Sequence, residues 1–441
     1  MATNVNYSRR LGICLSIAFF GSIASLAGCT SPAIGAGDED EAEVASAESA
    51  LCFNPKKEGK RLFEEETFGG NGRTCATCHG KKTGTLNPSE IQDLYEEDPD
   101  NALFQLDASD DFEGDGFSRI QQDATILVRL QLPPNVTLAN DPTATSIVVR
   151  RGISSTINTP ALDPVLMADG RAPSVEAQAL DAIHGHAQAT IEPTAQQLAL
   201  IAQHEKSSKF FSNHTLEDYA DGGDAPELPK GHTAAEKRGR LWFEDAPVGP
   251  NLNSSSPRKG LCAMCHSGPM LNESNGHNPL PPHFLGDPFA APGSPGAAPC
   301  NKPWTEAEVT HVPKGTRYQS VLVSDFNLGN NPLYNFVLHL PDGSTVALPP
   351  TPDPGRALIT GNFTAFPTPG SEFNNFKIPQ LWGVKKTAPY FHNNSALTLE
   401  AVVEHYATFF AFATDCFVDG DPPLVMTTQD KADVLAYLKL L

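Results

Sequence analysis

Apolar residues along this chain form one long run and several shorter periodic stretches. Leu11 to Leu26 is apolar but interrupted by Gly12, Ser16, Gly21, Ser22 and Ser25, and it follows Arg9 and Arg10. That pattern predicts an export signal over residues 1–28 and is too broken for a membrane span. From 29 to 50 the chain is Ala, Gly, Ser and acid, which predicts a disordered tether. Beyond it the periodicity is mainly helical. Gly59-Lys60-Arg61-Leu62-Phe63 and Gly239-Arg240-Leu241-Trp242-Phe243 each predict a helix with one apolar face. Ser174 and Thr398 are natural N-caps. Thr194 with Gln197 and Thr427 with Asp430 form capping boxes, the second opening a helix over Asp430 to Leu438. Alternation from Tyr334 to Leu348 around Asp342-Gly343 predicts one β-hairpin. Pro- and Gly-rich stretches at 277–300 and 341–356 read as surface loops.

These elements recur in order. A helix carrying Leu and aromatic residues comes first in each half. A Pro-containing segment follows later, Ile157-Asn158-Thr159-Pro160-Ala161-Leu162 in one half and Phe376-Lys377-Ile378-Pro379-Gln380-Leu381 in the other. Soon after it, Asp169 to Ala177 aligns without gaps to Asn393 to Ala401. A capped helix closes each half. The Gly, Pro and Asp cluster from Asp221 to Gly231 marks the boundary, giving domains at 51–225 and 226–441. The expected fold is mainly α, two tandem domains with long loops and a small inserted β-hairpin.

Charge and cysteine usage sharpen this picture. The formal charge of the 441 residues is -21, becomes -23 without Arg9 and Arg10, and is still -17 when the six tether acids are set aside. An acidic body argues against nucleic acid as a partner and suits a basic or neutral protein. Cys75-Ala76-Thr77-Cys78-His79 and Cys262-Ala263-Met264-Cys265-His266 are two copies of C-x-x-C-H, one per half. This spelling attaches haem c: two thiols add to the porphyrin vinyl groups and the adjacent imidazole binds iron. A zinc or redox C-x-x-C is the alternative, but zinc needs four ligands in one place and these pairs lie 187 residues apart. Cys14 leaves with the signal. Leu26-Ala27-Gly28-Cys29 resembles the lipobox of bacterial lipoproteins, which implies lipidation of Cys29 and, with Thr30 following, an outer-membrane anchor facing the periplasm. Cys52, Cys300 and Cys416 remain, with three possible disulfide pairings that sequence does not rank.

The chain from about Lys56 to Leu441 resembles the bacterial di-haem cytochrome c peroxidase family, which includes the MauG-type enzymes. The resemblance rests on the paired C-x-x-C-H, on Asp169-Gly170-Arg171 followed by Glu176-Ala177-Gln178-Ala179-Leu180, and on Phe376-Lys377-Ile378-Pro379 leading to Thr387-Ala388-Pro389-Tyr390-Phe391-His392. It implies two cytochrome c-like haem domains, peroxide reacting at the N-terminal haem and electrons arriving through the C-terminal one. It also implies hydrogen peroxide and a small electron-donor protein, a cytochrome or cupredoxin, as partners. Family members of the MauG type instead oxidise a protein or organic substrate, and a non-enzymatic electron-transfer cytochrome is the third reading.

The sixth iron ligands decide between these readings. Between Gly80 and Leu166 there is no His and no Met, so the N-terminal haem is expected to be five-coordinate, with Tyr95 or a distant His as the alternative. Family alignment places Gln188 at the distal position that handles peroxide. An amide does not act as an acid near neutral pH, so His184 or His186 is the candidate for moving the proton. For the second haem the alignment points to Tyr406, with Met426 a further possibility and the neighbouring His405 turned about 100° away on the helix. His392 is assigned a structural hydrogen bond. The family's interdomain Trp has no counterpart in the first half, and Trp382 stands where an Arg is usual. The acidic run Asp107 to Gly116 is the candidate for the family's calcium, though its spacing is not that of an EF-hand and a solvated turn is the alternative.

Overall fold

The computed structural model describes residues 53–244, 260–277, 312–320, 323–363, 372–417 and 424–441, without the side chains of 412–417. The export signal, the tether with Cys29, Cys52, Cys300, the side chain of Cys416, the loop from 278 to 300 and Trp304 lie outside the described residues. The chain divides into Met1–Asn54 and Pro55–Leu441, and the described elements belong to the second unit.

In chain order the first half contains α1 (Pro55–Glu64), α2 (Cys75–Cys78), α3 (Pro88–Glu97), α4 (Ser118–Asp123), β1 (Thr125–Gln131), β2 (Val136–Leu138), β3 (Ser146–Gly152), α5 (Thr159–Leu162), α6 (Val175–Gly185), α7 (Ala195–Glu205) and α8 (His214–Ala220). The second contains α9 (Ala234–Leu241), β4 (Tyr318–Gln319), β5 (Phe336–His339), β6 (Thr345–Ala347), α10 (Ala357–Thr360), β7 (Phe376–Lys377), α11 (Leu399–Phe417) and α12 (Thr428–Leu438). The described chain is therefore helix-rich with three small sheets. The expected caps form: Ser174 accepts from the N–H of Ala177, Thr398 from that of Ala401, and Thr194 and Thr427 close capping boxes.

The two halves repeat in three dimensions. α1 packs on α7, and α9 packs on α12. Both contacts need a glycine. A Cβ on Gly59 would lie 2.4 Å from the carbonyl oxygen of Leu200, and one on Gly239 would lie 2.1 Å from that of Asp433. Only glycine lets the helix axes approach so closely. The register that aligns Asp169 with Asn393 also aligns two isolated bridges, Leu166 with Ala172 and Tyr390 with Ala396. In that register Met167 matches Phe391 and Gly170 matches Asn394, and all four residues have positive φ, between 57° and 72°. The entries to α6 and α11 are thus built on one backbone plan.

The β-structure departs from expectation. The hairpin around Asp342-Gly343 forms as β5 and β6, with Leu338 opposite Val346. It is not a separate insertion: β2 from the first half adds to it, Val136 pairing with Leu338, to make a three-stranded sheet. A two-stranded hairpin alone is marginal, and this third strand, with Phe336 buried against Phe363 and Phe373, supplies the missing support. A second hairpin, β1 with β3 from Thr125↔Gly152 to Gln131↔Ser146, was not anticipated from the sequence.

Candidate functional site

Each C-x-x-C-H forms one tight turn that leaves its histidine fixed through one nitrogen. His79 Nδ1 donates to the carbonyl of Gly84 at 2.8 Å, and His266 Nδ1 donates to that of Leu271 at 2.9 Å. Both acceptors lie five residues on, in left-handed turns. A carbonyl only accepts, so Nδ1 carries the proton and Nε2 keeps the lone pair. Burial lowers the pKa of both imidazoles and raises that of all four cysteine thiols, to about 12 for Cys265.

Each motif lines its own cavity. The first offers ≈ 150 Å³ and the second ≈ 270 Å³ for the centres of water-sized spheres. One water needs about 10–15 Å³ on that measure, so each cavity is shaped for something far larger. Gly152 to Ser155, Thr159, Met167 and Ala168 line both, so the cavities share a wall.

A helix also lines each cavity, α6 the first and α11 the second. In the register of the repeat the same helical positions face inward: Val175 and Leu399, Gln178 and Val402, Ala179 and Val403, Ala182 and Tyr406, His186 and Phe410. One face, therefore, carries two different chemistries. The second cavity presents a phenol at the central position among apolar neighbours. The first presents a methyl group there, with an amide four residues before it and an imidazole four residues after it on the same face. Tyr406 packs against Phe391, Phe409 and Phe410 at 6.5, 6.0 and 6.0 Å between ring centroids, and burial raises its pKa. Met426 and His392 also line the second cavity, whereas His405 does not. His392 stacks on Phe376 at 3.7 Å, and burial holds it neutral.

Ion pairs fix the first cavity's charged lining. His186 Nδ1 lies 2.7 Å from Asp107 Oδ2, and Asp107 pairs with buried Arg73, whose Nη1 is 2.7 Å from Oδ1. Arg151 binds Asp353 at 2.5 Å and Asp169 at 3.1 Å, and Arg171 binds Asp169 at 2.8 Å. Arg151 and Arg171 line the cavity and are suited to carboxylate groups of an occupant. Glu205 lines it too, and burial pushes its pKa up to about 8.

Of the three expected distal residues, only His186 lines the cavity. His184 is two positions, about 200°, round the helix from Ala182. It is exposed and bonds Glu192 at 2.9 Å. Gln188 lies beyond the end of α6 with φ 52° and its side chain is exposed. Gln178, present in the family string but given no role, is the amide that faces inward. Met167, one residue beyond the stretch from Gly80 to Leu166 that holds no His or Met, lines both cavities. Tyr95 packs with Phe104 and Phe117 and does not line either cavity. Trp382 donates to the carbonyl of Pro269 at 2.8 Å.

Among the described residues no three His, Cys, Asp or Glu side chains are arranged to hold a metal ion. In the run 107–116, the candidate for calcium, acidic side chains already have protein partners. Asp107 is taken by Arg73 and His186, Asp110 accepts from Ser118 and Arg119, and Asp111 accepts the N–H groups of Glu113, Gly114 and Asp115. The run is a turn satisfied by its own backbone. The zinc alternative likewise finds no four-ligand cluster among the described residues. An iron porphyrin fits better: each cavity combines two cysteines, an imidazole held through Nδ1 and a predominantly apolar lining.

No family model and no curated protein matches the chain. Solved structures similar to it include a MauG-like protein associated with microbial copper homeostasis, 17% identical over 87% of each chain with a TM-score of 0.41. The diheme peroxidase BthA from Burkholderia thailandensis is 15% identical over 87% of this chain and 85% of that one, TM-score 0.40. Kuenenia stuttgartiensis hydrazine synthase is 13% identical over 96% and 99%, TM-score 0.36. The likenesses are slight.

Proposed function

We propose that the protein is a di-haem c-type peroxidase that reduces hydrogen peroxide in the first cavity with electrons relayed through the second. The observation that carries this reading is the contrast at one helical position, Ala182 against Tyr406. Cys75 and Cys78 would hold one haem with His79 as its proximal ligand, and Cys262, Cys265 and His266 the other. Haem iron supplies redox chemistry, and its sixth position decides whether it binds a small ligand or only passes electrons. Tyr406 would fill that position in the second cavity. In the first, Ala182 leaves room for peroxide, Gln178 orients it, and His186 takes a proton from one oxygen and returns it to the other. Two electrons from a small donor protein and two protons complete the conversion of one peroxide to two waters. The shared wall from Gly152 to Ser155 keeps the two sites adjacent.

The acidic body suits a basic or neutral donor, in keeping with a periplasmic location and a lipid anchor at Cys29. Among the described residues no helix is long and apolar enough to cross a membrane.

A MauG-like oxidase is a second reading, favoured by one observation: Tyr406 lines the second cavity, and a phenol there would favour oxidised iron, which would suit oxidation of an organic or protein substrate. Adding peroxide anaerobically to the fully reduced protein tests the main reading. Consumption of one peroxide per chain with oxidation of both haems is expected. Haems that stay reduced in excess peroxide would contradict it.

A further inference from the structure

We propose that Asp107, locked by Arg73, is a positioning residue that sets the tautomer and aim of His186 in the first cavity. This deepens the reading above and rests on it. His186 ends α6 as its C-cap, where a ring is free to turn. Here it is not free. Its Nδ1 is 2.7 Å from Asp107 Oδ2, and its carbonyl accepts from Asn71 at 2.9 Å and from Arg73 at 3.2 Å.

Asp107 is as firmly held. Its carboxylate pairs with Arg73, and its own carbonyl accepts from the N–H of Leu127 in β1 at 2.7 Å and from Arg119 at 3.1 Å. Arg73 is only 3% exposed, and its remaining donors reach the carbonyls of Ala102 and Leu103 at 3.0 and 2.6 Å. Burial alone would raise the Asp107 pKa, but hydrogen bonding to His186 and the Arg73 charge more than offset it, so the carboxylate stays ionised. An ionised carboxylate only accepts, so Nδ1 must donate to it. Nε2 is then the basic nitrogen, on a ring that lines the cavity.

The proton step follows. Nε2 accepts the proton of one peroxide oxygen and gives it to the other, which leaves as water with the electron pair of the broken O–O bond. The oxygen that remains takes two electrons from the donor protein and two protons from solvent and leaves as the second water. Without Asp107 the ring can turn and place its proton on Nε2, and the nitrogen facing the cavity is then no base.

The experiment is a double-mutant cycle on the haem-loaded protein, Asp107→Asn and His186→Gln alone and together. Two rates are read by absorbance: cyanide association with the ferric protein, in which HCN loses its proton to a base, and the single-turnover peroxide reaction. Asp107→Asn should slow both by about 10²-fold when His186 is present and leave both nearly unchanged in the His186→Gln background. Equal losses in both backgrounds, or no loss, would overturn the positioning role while leaving the peroxide reading intact. Wild-type protein inert to peroxide, with the cyanide cycle still non-additive, would sink the peroxide reading and keep the positioning role. If Asp107→Asn does not fold, Asp107→Glu, which keeps the charge but lengthens the reach, carries the same cycle.

Discussion

Ala182→Tyr puts the phenol of the second cavity into the first, at the matching helical position. Its strength there follows from its surroundings. Tyr406 is steadied by ring contacts to Phe391, His405, Phe409 and Phe410. The matching residues in the first half are Met167, Asp181, Gly185 and His186, so three of four aromatic contacts are lost. Aromatic pairs contribute about 0.5–1.5 kcal/mol each, so the introduced phenol is held less well by about 1.5–4.5 kcal/mol. It should still occupy the sixth position part of the time. If ligation outweighs the open state by about 1.4 kcal/mol, roughly nine-tenths of the sites are closed and the peroxide rate falls about tenfold. The assay is stopped-flow absorbance after mixing ferric protein with peroxide, and the reverse change, Tyr406→Ala, should open the second haem to cyanide. A folded Ala182→Tyr protein with wild-type peroxide kinetics and an unchanged ferric spectrum would refute the equivalence of the two positions.

Two further outcomes follow from buried groups. Burial raises the Glu205 pKa to about 8 from the ordinary value of 4.5, so in the folded state the charged form is disfavoured. Its contribution to stability is therefore complete below pH 4.5 and is lost as pH rises toward 8, at up to about 1.4 kcal/mol per pH unit. Glu205→Gln should flatten the decline in urea-unfolding free energy over that window, and identical pH profiles for the two proteins would contradict it. Gly239→Ala drives a Cβ into the Asp433 carbonyl, costing about 1–3 kcal/mol in strain against about 1 kcal/mol gained in helix propensity. Gly59→Ala, with slightly more room, should cost less, and a rise in the urea midpoint of either variant would contradict the close helix crossing.

The helical frame was legible because its signals are local. Ser174, Thr194 and Thr427 cap helices through residues three positions on, whereas the close crossings at Gly59 and Gly239 emerge only in the structure. The β1–β3 pairing lay outside the sequence reading although Ile147 and Val149 alternate inward along β3 and Pro133-Pro134 and Asp141-Pro142 punctuate the connection. Pairing of β2 with β5 joins residues some two hundred positions apart, and no local pattern announces it. At the site, the four cysteines, His79, His266 and Tyr406, all of which line the cavities, were nameable from motif and alignment. The distal side could not be read fully: helical phase separates His186 from His184, and Asp107 reaches His186 from 79 positions away.

The most direct test of the central claim, two like cavities with unlike sixth positions, is the resting ferric EPR spectrum of the haem-loaded protein, recorded beside Tyr406→Met. Wild type should give one high-spin haem, from the first cavity, and one low-spin haem that changes on Tyr406→Met. Two low-spin signals, or a low-spin signal indifferent to Tyr406→Met, would contradict the account.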